Sequence, residues 1–216
     1  MKNAFIALSV VLASSVFAAP HHSEISVKLV PERREYIVGE RIRAIVDVAN
    51  SSAESIDVGK PGSADILRIE VFRARDMASR DRVGKKPLVA PFVLHSSEGQ
   101  KLETFIGDHF ALHDPVRYLA RAVLVHGSSR YESSLVSFDI VPGMTVGRAM
   151  QMFSNRPGLK RTFELVYWMR GQREHLFLKA SDEGGRVWRT TDLGALLRIT
   201  DPKISVMPNG EVVVLH

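Results

Sequence analysis

Between residues 24 and 141, apolar side chains recur at every second position and are interrupted at short intervals by turn-forming residues. Residues 25–29 and 42–48 show the pattern most clearly. A period of two is typical of β-strands, because successive side chains of a strand point to opposite faces. The pattern therefore predicts β-sheets that each bury one face and leave the other in water.

The turn residues divide this region into runs of strand length. The predicted strands are residues 25–29, 42–48, 56–58, 66–72, 88–94, 101–112, 116–125 and 133–141. Seven to eight strands in roughly 120 residues is the arithmetic of an immunoglobulin-like antiparallel sandwich. We therefore predict an all-β fold with such a sandwich at residues 24–142.

Two short stretches carry a resemblance to a known fold family. The sequence YIVGE at residues 36–40, followed by a strand that ends in VANSS at residues 48–52, resembles the opening hairpin of immunoglobulin-like domains of the macroglobulin and proteinase-inhibitor-like kind. Tyr118 resembles the tyrosine that opens the penultimate strand of many such domains. The resemblance covers residues 24–142 and implies an immunoglobulin-like fold. It also suggests one variant of a binding function, the inhibition of a protease by an exposed loop, although fold alone does not imply function.

The N-terminus predicts export. Lys2 is followed by a short, mostly apolar run that ends in small residues, with Val16 and Ala18 at the positions that a signal peptidase reads. We expect a signal peptide at residues 1–18, a flexible tail at 19–23, and a periplasmic or extracellular mature protein. The run is shorter than the about 20 apolar residues that cross a bilayer, and no long apolar run recurs. Cleavage removes one cation and no anion, which lowers the formal net charge from +5 to +4.

The sequence contains no cysteine among its 216 residues. This composition excludes disulfide scaffolds, thiol nucleophiles, thiolate zinc sites and iron–sulfur clusters. No glycine-rich phosphate loop is present either, so no cofactor is expected.

Pro142 and Gly143 end the sandwich pattern and predict a second, smaller β-rich unit at residues 143–216. Its expected strands are residues 162–169, 174–180, 186–190, 203–207 and 211–215, the last two joined by an Asn-Gly turn. Apolar residues at helical spacing after Thr145 predict a short helix that ends before Arg156, and residues 192–198 predict a single helical turn.

One hairpin of the second unit resembles a known structural motif. The sequence SDEGGRVW at residues 181–188 is similar to the Asp-box of sialidases and other propellers, from which Glu183 and Val187 depart. The resemblance implies that polar residues tie the turn and that Trp188 packs beneath it, with no catalytic role. The tail also resembles the C-terminal part of uncharacterised exported bacterial proteins, which implies no activity.

His109 and His113, flanked by Asp108 and Asp114, form the nearest approach to a metal-binding cluster. Gly107 and the following proline leave little room for a helix, and four residues of strand span about 13 Å, too far for one ion. The sequence favours a polar corner of the sandwich over a metal site, and no metal ligand is assigned.

No catalytic motif is evident. The nucleophile elbow is absent, and His95, His126 and His175 have no partners that the sequence identifies. A catalytic triad can still assemble in space, since chain order is not diagnostic. No catalytic residue is assigned.

Residues 73–86 carry six cations and two anions. The excess charge predicts either a solvated loop or a site for an anionic polymer, a membrane headgroup or an acidic protein. Replacing Arg80, Arg82, Lys85 and Lys86 by serine should then abolish salt-sensitive retention on an anionic matrix. Nucleic acid is not an expected partner, because the interleaved aromatic residues of a stacking surface are missing.

Trp168 and Trp188 have two open interpretations, as the core of a small β unit or as a sugar-stacking platform.

For the whole chain we expect a non-enzymatic binding or envelope-structural module whose partner is a protein or an anionic envelope polymer. The alternative is a hydrolase or other enzyme with a site at the junction of the two units. A cleft at this junction with a histidine beside a carboxylate or serine would favour the enzyme. A closed, apolar junction would favour the binding module.

Overall fold

The computed structural model describes residues 24–61, 65–83, 87–153, 159–196 and 200–216. The predicted signal peptide and tail lie outside the described residues, and so do Lys85 and Lys86. In the part of the chain that is described, no helix has the length and apolar character needed to cross a bilayer.

The all-β prediction is confirmed, because strands dominate the described chain and most pairings are antiparallel. In chain order the strands are β1 (Ile25–Pro31), β2 (Glu35–Ile37), β3 (Arg43–Asn50), β4 (Ile56–Val58), β5 (Ile66–Arg73), β6 (Ala78–Ser79), β7 (Phe92–Leu94), β8 (Glu98–Phe105), β9 (Arg117–His126), β10 (Ser129–Glu132), β11 (Val136–Val141), β12 (Met144–Met152), β13 (Lys160–Arg170), β14 (Arg173–Ser181), β15 (Val187–Ala195), β16 (Lys203–Val206) and β17 (Val212–Leu215).

Two sheets form a sandwich in the N-terminal part of the chain. One has the order β1-β3-β8, and the other has the order β2-β11-β9-β5-β6, with β10 paired to β9. β2 joins β11 in parallel, and the small β4-β7 pair is hydrogen-bonded to neither sheet but contributes Ile56, Val58 and Leu94 to the sandwich core.

The core lies between these two sheets, where the buried residues of each strand alternate with exposed ones. The burial of β3 shows this alternation, with Ala44, Val46 and Val48 fully enclosed. Tyr118 on β9 is also buried and stacks on Phe138, and its hydroxyl donates a hydrogen bond to the Asp114 carbonyl at 3.2 Å. Burying each valine or larger apolar side chain contributes about 1.5–3 kcal/mol, so the alternation in the sequence supplies the apolar surface that holds the two sheets together.

A third sheet follows, with the order β12-β13-β14-β15, and the β16-β17 hairpin packs on one of its faces. That face has a core of its own, formed by Leu165, Tyr167, Leu176 and Leu196. The opposite face contributes Val166 and other residues to contacts with the sandwich. The C-terminal sheet is thus covered on both faces.

The helix predicted after Thr145 is wrong, since this segment is strand β12. The register shifts between Thr145 and Gly147, and such a bulge resets the two-residue alternation so that the apolar spacing mimics that of a helix. The helical turn predicted at residues 192–198 is also wrong over 192–195, which belong to β15; residues 197 and 198 lie outside the described residues.

Three short strands, β2, β6 and β10, were not predicted, and the strand expected at residues 101–112 ends earlier. β8 stops at Phe105, and a short 3-10 helix (Ile106–Asp108) follows. Strands of two to four residues carry too little alternation to be recognised, and tertiary pairing decides where they form.

Candidate ligand groove between the sandwich and the C-terminal sheet

Two glycines allow the C-terminal sheet to approach the sandwich closely. Gly39 follows β2 with a φ of +81°, and a Cβ there would lie 2.4 Å from a methyl group of Val187. Gly143 precedes β12 with a φ of +68°, and a Cβ there would lie 2.2 Å from a methyl group of Val166. Glycine is the residue that adopts this backbone region without strain, so both junction contacts depend on it.

The junction also has apolar and hydrogen-bonded contacts. Val187 of β15 is buried in the sandwich core, and Val166 and Phe177 pack against Ile37 of β2. Thr190 donates its amide to the Gly39 carbonyl at 2.9 Å and its hydroxyl to the Val38 carbonyl at 2.6 Å. The β2–β3 turn is therefore fastened to the middle of β15.

Glu40 lies at the centre of an ion-pair network in this junction. Its carboxylate accepts hydrogen bonds from Arg33 and Arg170, each at 2.7 Å, and from the Ile37 amide at 3.0 Å. The Glu40 side chain is only 8% exposed. A buried carboxylate with three donors is fully satisfied, so its role is structural.

Arg170 continues this network to Asp192 and His175. Arg170 donates to the Asp192 carboxylate, and the His175 Nδ1 atom lies 3.1 Å from the same group. Burial alone raises the pKa of Asp192, but the Gly194 amide, His175 and Arg170 together lower it below its usual value. Asp192 is therefore anionic and already bound.

A groove of about 1200 Å³ opens beside this network, between the end of the sandwich and strand β15. On the sandwich side its cations are neutralised. Arg33 pairs with Glu40, Arg41 with Asp108 at 2.7 Å, and Arg43 with Glu103 at 2.6 Å.

The opposite wall, formed by the C-terminal sheet, has cations without a carboxylate partner among the described residues. Lys160, Arg161, Arg186 and Arg189 line it, are exposed, and form no ion pair with any described carboxylate. Asp182 also lines the groove, and its carboxylate accepts a hydrogen bond from the Arg186 amide in the hairpin turn at 2.9 Å. The wall formed by the C-terminal sheet therefore has a net positive charge, whereas the positive and negative charges of the sandwich wall balance.

Arg161 on this wall contacts two aromatic rings. Its guanidinium lies 4.8 Å from the Phe153 ring centre and 5.6 Å from that of Trp188. Such contacts orient the planar guanidinium and leave its N–H groups available to an anion. Trp188 is 50% exposed and lines the groove.

The two tryptophans have different environments. Trp168 is partly buried, packs beside Val166 and Phe177, and donates its indole N–H to Glu35 at 3.2 Å. Asp182 ties the 181–188 hairpin as the resemblance implied, but Trp188 does not pack beneath the turn. Trp168 thus belongs to the junction, and Trp188 belongs to the groove surface.

The histidine cluster does not assemble into a metal site in the described part of the chain, where no group of three His, Asp or Glu side chains could hold an ion. His109 is buried, while His113 is exposed and lines the groove. Asp108 is paired with Arg41, and Asp114 lies 3.6 Å from Arg80. The two aspartates thus hold arginines.

His95, His126 and His175 each lie close to one polar partner. His95 lies 3.4 Å from the Ser55 hydroxyl, and His126 lies 2.9 Å from Asp65. His175 contacts Asp192 and stacks on Phe177. Among the described residues, no hydroxyl forms a hydrogen bond with the His175 ring, so the junction brings together a histidine and a carboxylate without a nucleophile.

Part of the basic segment is neutralised within the fold. Arg73 is paired with Asp76 at 2.6 Å, and Arg80 donates to the Ala111 carbonyl at 3.1 Å. Arg75 and Arg82 are exposed. The charge available to a partner on this segment is smaller than the sequence count indicates.

Sequence reasoning missed the cationic wall itself. Its members come from β13, from the 181–188 hairpin and from β15, and nothing in their spacing marks them as neighbours. The sequence only left open whether Trp168 and Trp188 belong to a core or to a binding surface. Tertiary packing brings these residues to one side of the groove.

No model of a known protein family matches this sequence, and no curated protein sequence matches it. Among solved structures, the chain is similar to Spo0M, the sporulation control protein of Bacillus subtilis, with a TM-score of 0.37 and 12% identity over 89% of each chain. That similarity is too distant to carry an argument about shared fold or function.

Proposed function

We propose that this protein is exported and acts as a non-enzymatic binding module, with the groove beside β15 as its ligand site. The observation that carries the proposal is the contrast between the groove walls. The cations of the sandwich wall are paired with carboxylates, whereas Lys160, Arg161, Arg186 and Arg189 have no such partner among the described residues. Several unpaired cations in one concave surface favour an anionic ligand.

The proposal includes the immunoglobulin-like kinship with macroglobulin and proteinase-inhibitor-like domains. The hydrogen bond from the Tyr118 hydroxyl to the Asp114 carbonyl supports it, because a tyrosine at the start of the penultimate strand forms such a bond in immunoglobulin-like sandwiches. Export rests on the signal-peptide pattern of residues 1–18.

The alternative function, an enzyme at the junction, has one observation in its favour. His175 and Asp192 form a pair beside the groove. Asp192 lines the groove, but the pair has no hydroxyl partner among the described residues, and Arg170 also binds the carboxylate. The binding module is therefore the better-supported proposal.

The test is chromatography of the purified protein on phosphocellulose with a salt gradient. A variant with all four groove cations replaced by serine should elute at clearly lower salt than the wild type, because screened charge attraction holds the protein on the column. The matched control removes four exposed cations outside the groove: Lys28, Arg75, Lys101 and Arg173. Equal shifts for the two variants would show that net charge alone is responsible, and the proposal would be rejected.

A further inference from the structure

The exposed indole of Trp188 is placed on the groove by a bulge in the C-terminal sheet. Ser181 pairs with Val187 and Ala180 pairs with Arg189, so Trp188 is the extra residue that opposes no partner. A bulge redirects a side chain out of the regular alternation. Here it leaves the buried Val187 on one side of Trp188 and the exposed Arg189 on the other. A flat apolar surface thus lies beside the exposed Arg189 in the groove.

The Arg161 guanidinium lies against the same indole. The Phe153 ring lies on it as well, so the position of the guanidinium is fixed by contacts that leave its charge uncompensated. A planar guanidinium binds a carboxylate or sulfate through two parallel hydrogen bonds. An aromatic platform and a fixed anion receptor therefore stand side by side in one groove.

From this juxtaposition we infer that the ligand of the groove is an acidic polysaccharide, an inference that rests on the function proposed above. A sugar ring has one apolar C–H face that stacks on an indole, and a uronic acid or sulfated sugar adds the anion that Arg161 would bind. Arg186 of the hairpin and Arg189 of β15 add two further exposed cations to the same wall. Several cations along one wall suit a chain with several negative charges.

An acidic peptide is the competing ligand, and the backbone of β15 argues against it. An extended peptide that adds to a sheet edge needs the free amides and carbonyls of that edge. The middle of the β15 edge is occupied, because the Thr190 amide is already bonded to the Gly39 carbonyl at 2.9 Å. A polysaccharide needs side chains only, and these remain exposed.

The experiment compares two polyanions of similar length and charge, oligogalacturonate and poly-L-glutamate, by titration calorimetry with the purified protein. We expect oligogalacturonate to bind about tenfold more tightly. Trp188→Ala should weaken its binding about tenfold, as loss of one aromatic contact does, and leave poly-L-glutamate unchanged. Arg161→Lys, which keeps the charge but not the planar fork, should also weaken oligogalacturonate binding.

The outcomes separate this inference from the proposed function. Equal binding of both polyanions, unaffected by Trp188→Ala but lost with the four-cation variant, overturns the polysaccharide inference and keeps the anion-binding groove. Tighter binding of poly-L-glutamate identifies an acidic peptide as the ligand and also overturns it. If the wild type binds neither polyanion, both the polysaccharide inference and the proposed anion-binding function are rejected. Arg173→Ser is the control for a lost exposed cation on the same sheet.

Discussion

The carboxylate of Glu40 and the guanidinium of Arg170 form a two-point ion pair, with both oxygen atoms 2.7 Å from one nitrogen. Glu40 follows β2 of the sandwich, and Arg170 ends β13 of the C-terminal sheet. Both side chains are largely buried, at 8% and 17% exposure. The pair therefore fixes one wall of the groove relative to the other.

Glu40→Gln should lower the free energy of unfolding by about 3 kcal/mol, because it leaves the buried Arg170 without full compensation. Urea denaturation followed by circular dichroism measures the change. In a double-mutant cycle with Arg170→Met, the two changes should couple by about 1–3 kcal/mol. The control is Asp76→Asn, which breaks the exposed pair with Arg73 and should cost less than about 1 kcal/mol. Equal losses for the buried and exposed pairs would contradict a structural role for Glu40.

Gly143→Ala should destabilise the protein by about 2–4 kcal/mol through two effects, a left-handed backbone and a clash with Val166. Gly127→Ala is the matched control. Gly127 also has a positive φ, of +56°, but nothing lies within 4 Å of its missing Cβ. It should show only the backbone effect, of about 1 kcal/mol. Thermal unfolding of both variants isolates the contribution of close packing, and identical melting temperatures would refute it.

Acid should lower the free energy of unfolding by protonating Glu164. This residue is 8% exposed, and its carboxylate is paired with Lys179 and Arg148, each at 2.5 Å. Burial alone raises the pKa of Glu164, but the hydrogen bonds and charges of Lys179 and Arg148 outweigh this effect and lower the pKa below its ordinary value. Because the folded-state pKa lies below the unfolded one, the carboxylate stabilises the fold at higher pH. This stability is lost as the pH falls through the lowered value.

The stability difference between the wild type and Glu164→Gln should therefore shrink as the pH falls from about 5 to about 3. Urea denaturation at several pH values measures it. Lys179→Met supplies the second arm, because loss of that cation should move the acid decline of stability to higher pH. A difference that stays constant across this range would show that Glu164 is not responsible.

The parts of the fold that follow from local pattern were predictable, and those that depend on packing were not. The alternation in residues 42–48 predicted β3, because one face of that strand is buried and the other is wet. The bulge between Thr145 and Gly147 gave β12 an apolar spacing like that of a helix, so this strand was predicted as a helix. Nothing local relates Arg161 to Trp188, which are distant in sequence, so the groove required the tertiary structure.

The His175–Asp192 pair allows an experiment that distinguishes a binding module from an enzyme. If the pair only supports Arg170 at the junction, His175→Gln should lower stability by about 0.5–1.5 kcal/mol, as loss of one hydrogen bond does. Chromogenic ester, phosphate and glycoside substrates should then show no turnover with either the wild type or the variant. His126→Gln, which removes a comparable contact with Asp65 away from the junction, is the control. Hydrolysis by the wild type that His175→Gln abolishes and His126→Gln preserves would instead establish the enzyme.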